Sequence, residues 1–210
     1  MADLDRRPER MLVQANIYAD VIASRRFGDP EALQLTLGDT ARALNQGFAP
    51  ALAIPFVVDY GDELRGALTD PTQAPLCVSF MRESLAPHMV RVGVGVNEPA
   101  EDAFTVAKHE DRLIHYAGVD AAGDLLLNAY TRLLDPLIRK RSAKQWEAIR
   151  ALRELGERKR AAYKLGITRQ SLAERLTAGH WQVVEDADAT IAAYLAMLEA
   201  GDSADATTAS

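Results

Sequence analysis

Apolar residues recur along this chain in two rhythms. Val90–Val96 (VRVGVGV) alternates at every second position and predicts a strand. Residues 11–18 (MLVQANIY) and 53–60 (AIPFVVDY) are poor in breakers and predict two more. Gly61-Asp62 is a tight-turn signal, so Glu63–Leu68 is expected to return beside 53–60 as a hairpin. Elsewhere the spacing is three to four. Leu33, Leu37, Ala41 and Leu44 predict a helix that Asp29-Pro30-Glu31 starts and Gly47 closes. Ala74–Leu85, ending before Pro87, and residues 102–115 predict two further helices.

This order of elements implies an α+β fold, an antiparallel sheet with helices on one face. It is assigned to residues 1–118. From Asp120 onward every signal is helical. Leu125, Leu126, Leu133, Leu134 and Leu137 are expected to form one apolar face, with a kink at Pro136. Trp146, Ile149, Leu152 and Leu155 form another, ended by Gly156. A last helix is expected over 183–198. Its Leu and Ala positions read first as a face packed on its own domain, with a homodimer seam as the alternative. Residues 119–200 thus make an all-α domain, and 201–210 (GDSADATTAS) an expected disordered tail.

Composition changes this picture little, and charge changes it a good deal. The 210 residues are 48% hydrophobic and 26% charged, ordinary for a globular chain. The single cysteine, Cys77, cannot form an internal disulfide. The charged start MADLDRRPER lacks the apolar core of a signal peptide. No apolar run approaches the roughly 20 residues of a membrane span. A cytoplasmic protein with no membrane partner is the expectation. The net charge is −6, yet residues 139–175 hold twelve Lys/Arg against four Asp/Glu, a local +8. The remainder carries −14, so one end of the molecule is expected to be drawn to phosphate.

The basic stretch contains RKRAAYKLGITRQSLAERLTAG. A helix-turn-helix needs a small residue where two helices nearly touch, here Ala162. It also needs a turn glycine four residues on, here Gly166. Leu165, Ile167, Leu172 and Leu176 would wedge the helices together, and Thr168 would cap the second. The module spans about 143–178. Its second helix would offer Arg169, Gln170, Ser171, Glu174 and Arg175 to base edges in the major groove. Arg158, Lys159, Arg160 and Lys164 would lie against phosphates. DNA is the expected partner. The plainer alternative is a helical pair whose basic residues are merely solvated.

A second constellation is Asp20, at the end of the first strand, with Asp62 in the hairpin turn. Side by side, two carboxylates and a backbone carbonyl would suit Mg²⁺, with nucleotide phosphate at the remaining positions. Glu63 would alternate to the other side of its strand, and Arg25 could clamp a phosphate. The plainer alternative is a turn former and a loop acid. The four histidines show no metal-ligand spacing, and Gly93-Val94-Gly95 lacks the context of a dinucleotide fingerprint.

The segments YADVIASR, VVDYGDELRGAL, VRVGVGVNE, AFTVAKHE and GITRQSLAERLTAGHW occur in that order and resemble the SatD family of bacterial proteins. Tyr18-Ala19-Asp20 stands where that family has I-G-D, and Leu64-Arg65 where it has Phe-Gln. More distantly, the first domain is similar to the ferredoxin-like, palm-type fold of GGDEF and class III nucleotide cyclases. Asp20 and Asp62 match their metal-binding positions, while Tyr60 replaces the first glycine of the GGDEF turn. The helix-turn-helix and the acid pair together predict a DNA-binding regulator whose palm-like domain binds a nucleotide or Mg²⁺ or has lost that ability, with homodimerisation as an option and a protein-interaction module with both sites vestigial as a further alternative. The alternative is a Mg²⁺-dependent nucleotidyl cyclase or transferase using Asp20 and Asp62.

Overall fold

The computed structural model of the chain describes residues 14–24, 29–59 and 61–208. Five strands form one mixed sheet: β1 (Ala15–Val21), β2 (Leu52–Asp59), β3 (Glu63–Leu68), β4 (Val90–Val96) and β5 (Ile114–Ala117). Their order is β2-β3-β1-β4-β5, antiparallel except for β5, which runs parallel to β4. Three helices belong to the sheet: α1 (Pro30–Gly47), α2 (Ala74–Leu85) and α3 (Ala100–His109). Five more follow: α4 (Ala121–Arg139), α5 (Ala143–Leu155), α6 (Arg158–Lys164), α7 (Arg169–Ala178) and α8 (Trp181–Thr208). The α+β class with a helical C-terminal region is therefore as the sequence implies. No helix among the described residues is long and apolar enough to cross a membrane.

Local signals explain most boundaries. The Asp29 carboxylate accepts from the Ala32 amide at 3.0 Å and opens α1 over Pro30. Gly61, at φ +91°, turns β2 into β3. Ala15, Ile17, Ala19 and Val21 of β1 enter a core with Leu37 and Leu44 of α1 and Met81 and Leu85 of α2. Asn16, Tyr18 and Asp20 therefore face the other side. β1 itself runs on to Val21, past the expected end at residue 18. Its ladder with both neighbours persists, Asp20 lying opposite Glu63 and Arg91. Residues 11–13 of the expected strand lie outside the described residues.

Two features depart from expectation. Helices do not keep to one face of the sheet. Gly93 of β4 points away from the core that Val92 and Val94 enter, and a β-carbon there would come within 2.3 Å of the Phe104 amide. α3 thus packs against the second face through a bare glycine. Nor does the helix over 102–115 reach its expected end. α3 stops at His109, Asp111 adopts φ +50°, and the chain re-enters the sheet as β5. α4 covers that edge with two buried polar side chains. Asn128 exchanges two hydrogen bonds with the Tyr116 backbone at 2.7 and 2.8 Å, and Asp135 accepts from the Leu113 amide at 2.8 Å. They satisfy backbone groups that an edge strand leaves bare.

The same anchoring corrects the expected apolar face of α4. Leu127, Leu134 and Ile138 are buried, whereas Leu125, Leu126 and Leu133 are exposed. A helix that must aim Asn128 and Asp135 at a strand cannot also bury the leucines opposite them. α8 starts at Trp181 and continues to Thr208, beyond the end expected at 198 and into the stretch expected to be disordered. GDSADATT contains no proline, so nothing forces the helix to stop after Gly201. The two cores share elements. Ile191 and Leu195 of α8 join the sheet's core, while Val184 and Ala187 of the same helix join Trp146, Ile149 and Leu172.

Candidate nucleic-acid interface and the paired carboxylates

α6 and α7 form a helix pair joined at Gly166. Ala161 and Ala162 are buried where α6 meets its neighbours, and Leu172 and Leu176 are buried from α7. Leu165 and Ile167 pack partly against the same core. Gly166 takes φ +63°, a left-handed conformation that a β-carbon disfavours. Around that turn the Ile167 amide donates to the Ala162 carbonyl at 3.0 Å. The Thr168 hydroxyl accepts from the Ser171 amide at 3.0 Å, capping α7. Both helices pack on α5, which Ser142 opens with a capping box and Gly156 closes at φ +66°.

The basic side chains divide into two groups. Arg158, Lys159, Arg160 and Arg169 are exposed and make no ion pair among the described residues. Lys164 pairs with Glu154 at 2.5 Å, and half-buried Arg175 lies 3.9 Å from Glu147, so both lean on α5. Gln170 is exposed and donates to Glu174 one turn on, at 3.1 Å. Ser171 is half-buried, and its amide is taken by the cap. Tyr163, which is not among the expected contact residues, stands 89% exposed on α6. It occupies a position off the apolar stripe of Ala161, Ala162 and Leu165, a signal the sequence did contain.

Asp20 and Asp62 come together as expected. The Val21 amide donates to the Asp62 carbonyl at 3.3 Å, and the Ser24 hydroxyl donates to the Asp62 carboxylate. Burial, then the nearby Asp62 charge, pushes the Asp20 carboxyl up to about 6. Lys108 of α3 and Arg91 of β4 oppose that rise. Glu63 is not turned away. It lies directly opposite Asp20, adds to the repulsion, and pairs with Arg65 at 3.2 Å. Arg25 and Tyr60 lie outside the described residues.

Two carboxylates and a hydroxyl are suitable hard donors for Mg²⁺. Among the described residues, however, no group of three or more His, Cys, Asp or Glu side chains converges as a metal site. Lys108 and Arg91 already supply positive charge beside Asp20. The site thus provides a partial ligand set, and no reaction step follows from it. A cleft of about 480 Å³ lies nearer the other end of β1, lined by Asn16, Tyr18, Arg65, Ile54, Val57 and Glu101. It does not include Asp20 or Asp62.

No family model matches the chain, and no curated protein matches it either. The likeness to the SatD family therefore stands on its sequence motifs. Among solved structures, a regulator of polyketide synthase expression from Bifidobacterium adolescentis is similar over 89% of this chain and 84% of its own, at 12% identity and a TM-score of 0.24. A superposition that poor carries no argument about this protein.

Proposed function

We propose that the protein is a DNA-binding regulator, in keeping with its SatD-like motifs, and that α6 and α7 form its DNA interface. One observation carries this reading. A capped, glycine-turned helix pair presents four exposed arginine and lysine side chains, Arg158, Lys159, Arg160 and Arg169, without intramolecular ion pairs among the described residues. Cations left unpaired on two adjoining helices favour phosphate, and each phosphate they neutralise releases counterions. α7 enters the major groove by its N-terminal turn, where Arg169 and Gln170 meet base edges and the Thr168 cap fixes the helix end. Lys164 reaches phosphate, and Arg175 a base edge, only by leaving Glu154 and Glu147, so they contribute less than the other four.

Selection of binding sites from a random duplex library tests this. The wild-type chain is expected to enrich one sequence. The Arg169→Ala/Gln170→Ala variant is expected to retain salt-sensitive binding while losing that enrichment. Equal enrichment by both proteins contradicts the docking of α7.

A second reading rests on the raised Asp20 carboxyl beside Asp62. Two carboxylates that repel one another favour a cation between them, and Mg²⁺ with a nucleotide phosphate answers that need. In this reading Asp20 and Asp62 hold the ion, and the chain is a nucleotide sensor or a nucleotidyl cyclase or transferase. Mg²⁺ should then raise the melting temperature in the presence of ATP or GTP, and Asp62→Asn should abolish the rise. Product formation from either nucleotide separates the enzyme from the sensor.

A further inference from the structure

α4 is apolar on two opposite sides. Its inner side buries Leu127, Leu134 and Ile138 and fixes the edge of β5 through Asn128 and Asp135. Its outer side carries Ala122, Leu125, Leu126, Ala129, Leu133 and Pro136, all exposed. Steps of three and four place these six on one stripe along the helix. The three leucines are 74%, 54% and 71% exposed. Single exposed leucines are ordinary, but a stripe along a whole helix marks a surface that is covered by something.

We propose that a second copy of this chain covers it, the two α4 helices crossing antiparallel about a two-fold axis at Ala129. The stripe is nearly symmetric about that residue. Leu125 and Leu133 lie four positions either side, and Ala122 and Pro136 lie seven. A two-fold interface brings a patch against itself, so this spacing sets Leu125 against the partner's Leu133 and the reverse. The small side chain at the centre lets the helix axes approach closely.

Charge selects the direction. Exposed Asp120 stands at the N-terminal end of α4, where Asp124 turns inward to the Gly118 and Val119 amides, and Arg132, Arg139 and Lys140 stand toward the C-terminal end. Arg132 and Lys140 are exposed and make no ion pair among the described residues. Antiparallel pairing sets each basic end beside the partner's acidic end and opposes the helix dipoles, whereas parallel pairing sets like charge on like. The inference does not depend on the DNA reading. If that reading also holds, the dimer carries two copies of the helix-turn-helix.

Sedimentation velocity over a range of concentrations tests the proposal, with Leu133→Glu and Leu126→Glu beside the wild type. The wild type is expected to dimerise. Each variant is expected to associate more weakly by roughly tenfold or more, since it places an unpaired charge in an apolar contact. Both positions are exposed in the single chain, so circular dichroism should not change, nor should melting at concentrations where the wild type too is monomeric. Mild oxidation then reads the geometry. Ala129→Cys should cross-link to itself, and Leu125→Cys should cross-link to Leu133→Cys in a mixture but not to itself. Three results overturn the proposal: a wild type that stays monomeric, a dimer that survives Leu133→Glu, or self-cross-linking of Leu125→Cys alone.

Discussion

Arg169 and Arg158 hold different places on the proposed interface, and their loss should read differently. An arginine bidentate to guanine discriminates by about 1–3 kcal/mol, so Arg169→Ala should relax specificity at one base position. Arg158 is placed against phosphate. Arg158→Ala should weaken binding to every sequence alike and lower the salt slope by about one. Filter binding to matched and mismatched duplexes separates the two outcomes. Asp20 gives a prediction of opposite character. Burial and Asp62 raise its carboxyl to about 6 in the folded chain, above its ordinary value of 3.8. The folded state then binds a proton more tightly than the unfolded state does. Stability therefore rises as pH falls from 7 through 6, and levels off below the unfolded value. Asp20→Asn should stabilise the protein at pH 7 by on the order of 1 kcal/mol, once solvent screening of this half-buried group is allowed for. The gain should vanish near pH 4. Urea denaturation at both pH values measures it, and a destabilised Asn variant at pH 7 would mean that Lys108 and Arg91 outweigh burial.

Glycines decide how two of the elements sit. Nothing lies within 4 Å of a β-carbon built on Gly166, so Gly166→Ala meets only the strain of φ +63°. That should cost about 1 kcal/mol and loosen the approach of α6 to α7. At Gly93 the added carbon would lie 2.3 Å from the Phe104 amide and 2.4 Å from the Ala100 carbonyl, both backbone atoms of α3 that cannot swing aside. Gly93→Ala should cost about 3 kcal/mol, and amide exchange in α3 should rise with it. These positions also mark how far the sequence could be read. Local signals located α1, α2, β3, β4 and the helix pair α6–α7, because caps, turn glycines and periodicity act within a few residues. They did not reveal β5, four residues long and fixed by distant contacts from Asn128 and Asp135. Nor could they place α3, since a bare strand glycine does not say which helix approaches it. For α4 the leucines were visible, but which of them face inward is set by those same two polar anchors. At the candidate site the convergence of Asp20 on Asp62 followed from the hairpin. The cations beside it, Lys108 and Arg91, come from elements whose placement the sequence did not give.

The whole molecule is tied through α2 and α8. Arg153 of α5 reaches Glu83 of α2 at 2.7 Å and Glu185 of α8 at 2.5 Å, and the Glu83 side chain is only 6% exposed. Ser79 of α2 donates to Asp188 of α8 at 2.5 Å. With Ile191 and Leu195 in one core and Val184 and Ala187 in the other, α8 cannot leave one half alone. A single cooperative unfolding transition is expected by both fluorescence and circular dichroism. Arg153→Met should cost up to about 3–5 kcal/mol, because it leaves buried Glu83 with only the Arg141 charge to oppose it, and adding Glu83→Gln should recover part of the loss. Such a frame would let events at the sheet reach α7, a coupling that a change in DNA affinity would measure. The central claim, that the basic face of α6 and α7 binds DNA, is tested most directly by fluorescence anisotropy on a labelled duplex across a salt series. The wild type should show log affinity falling linearly with log salt, and the Arg158→Ala/Lys159→Ala/Arg160→Ala variant a slope shallower by about three. No binding at low salt, or the same slope in both proteins, would contradict it.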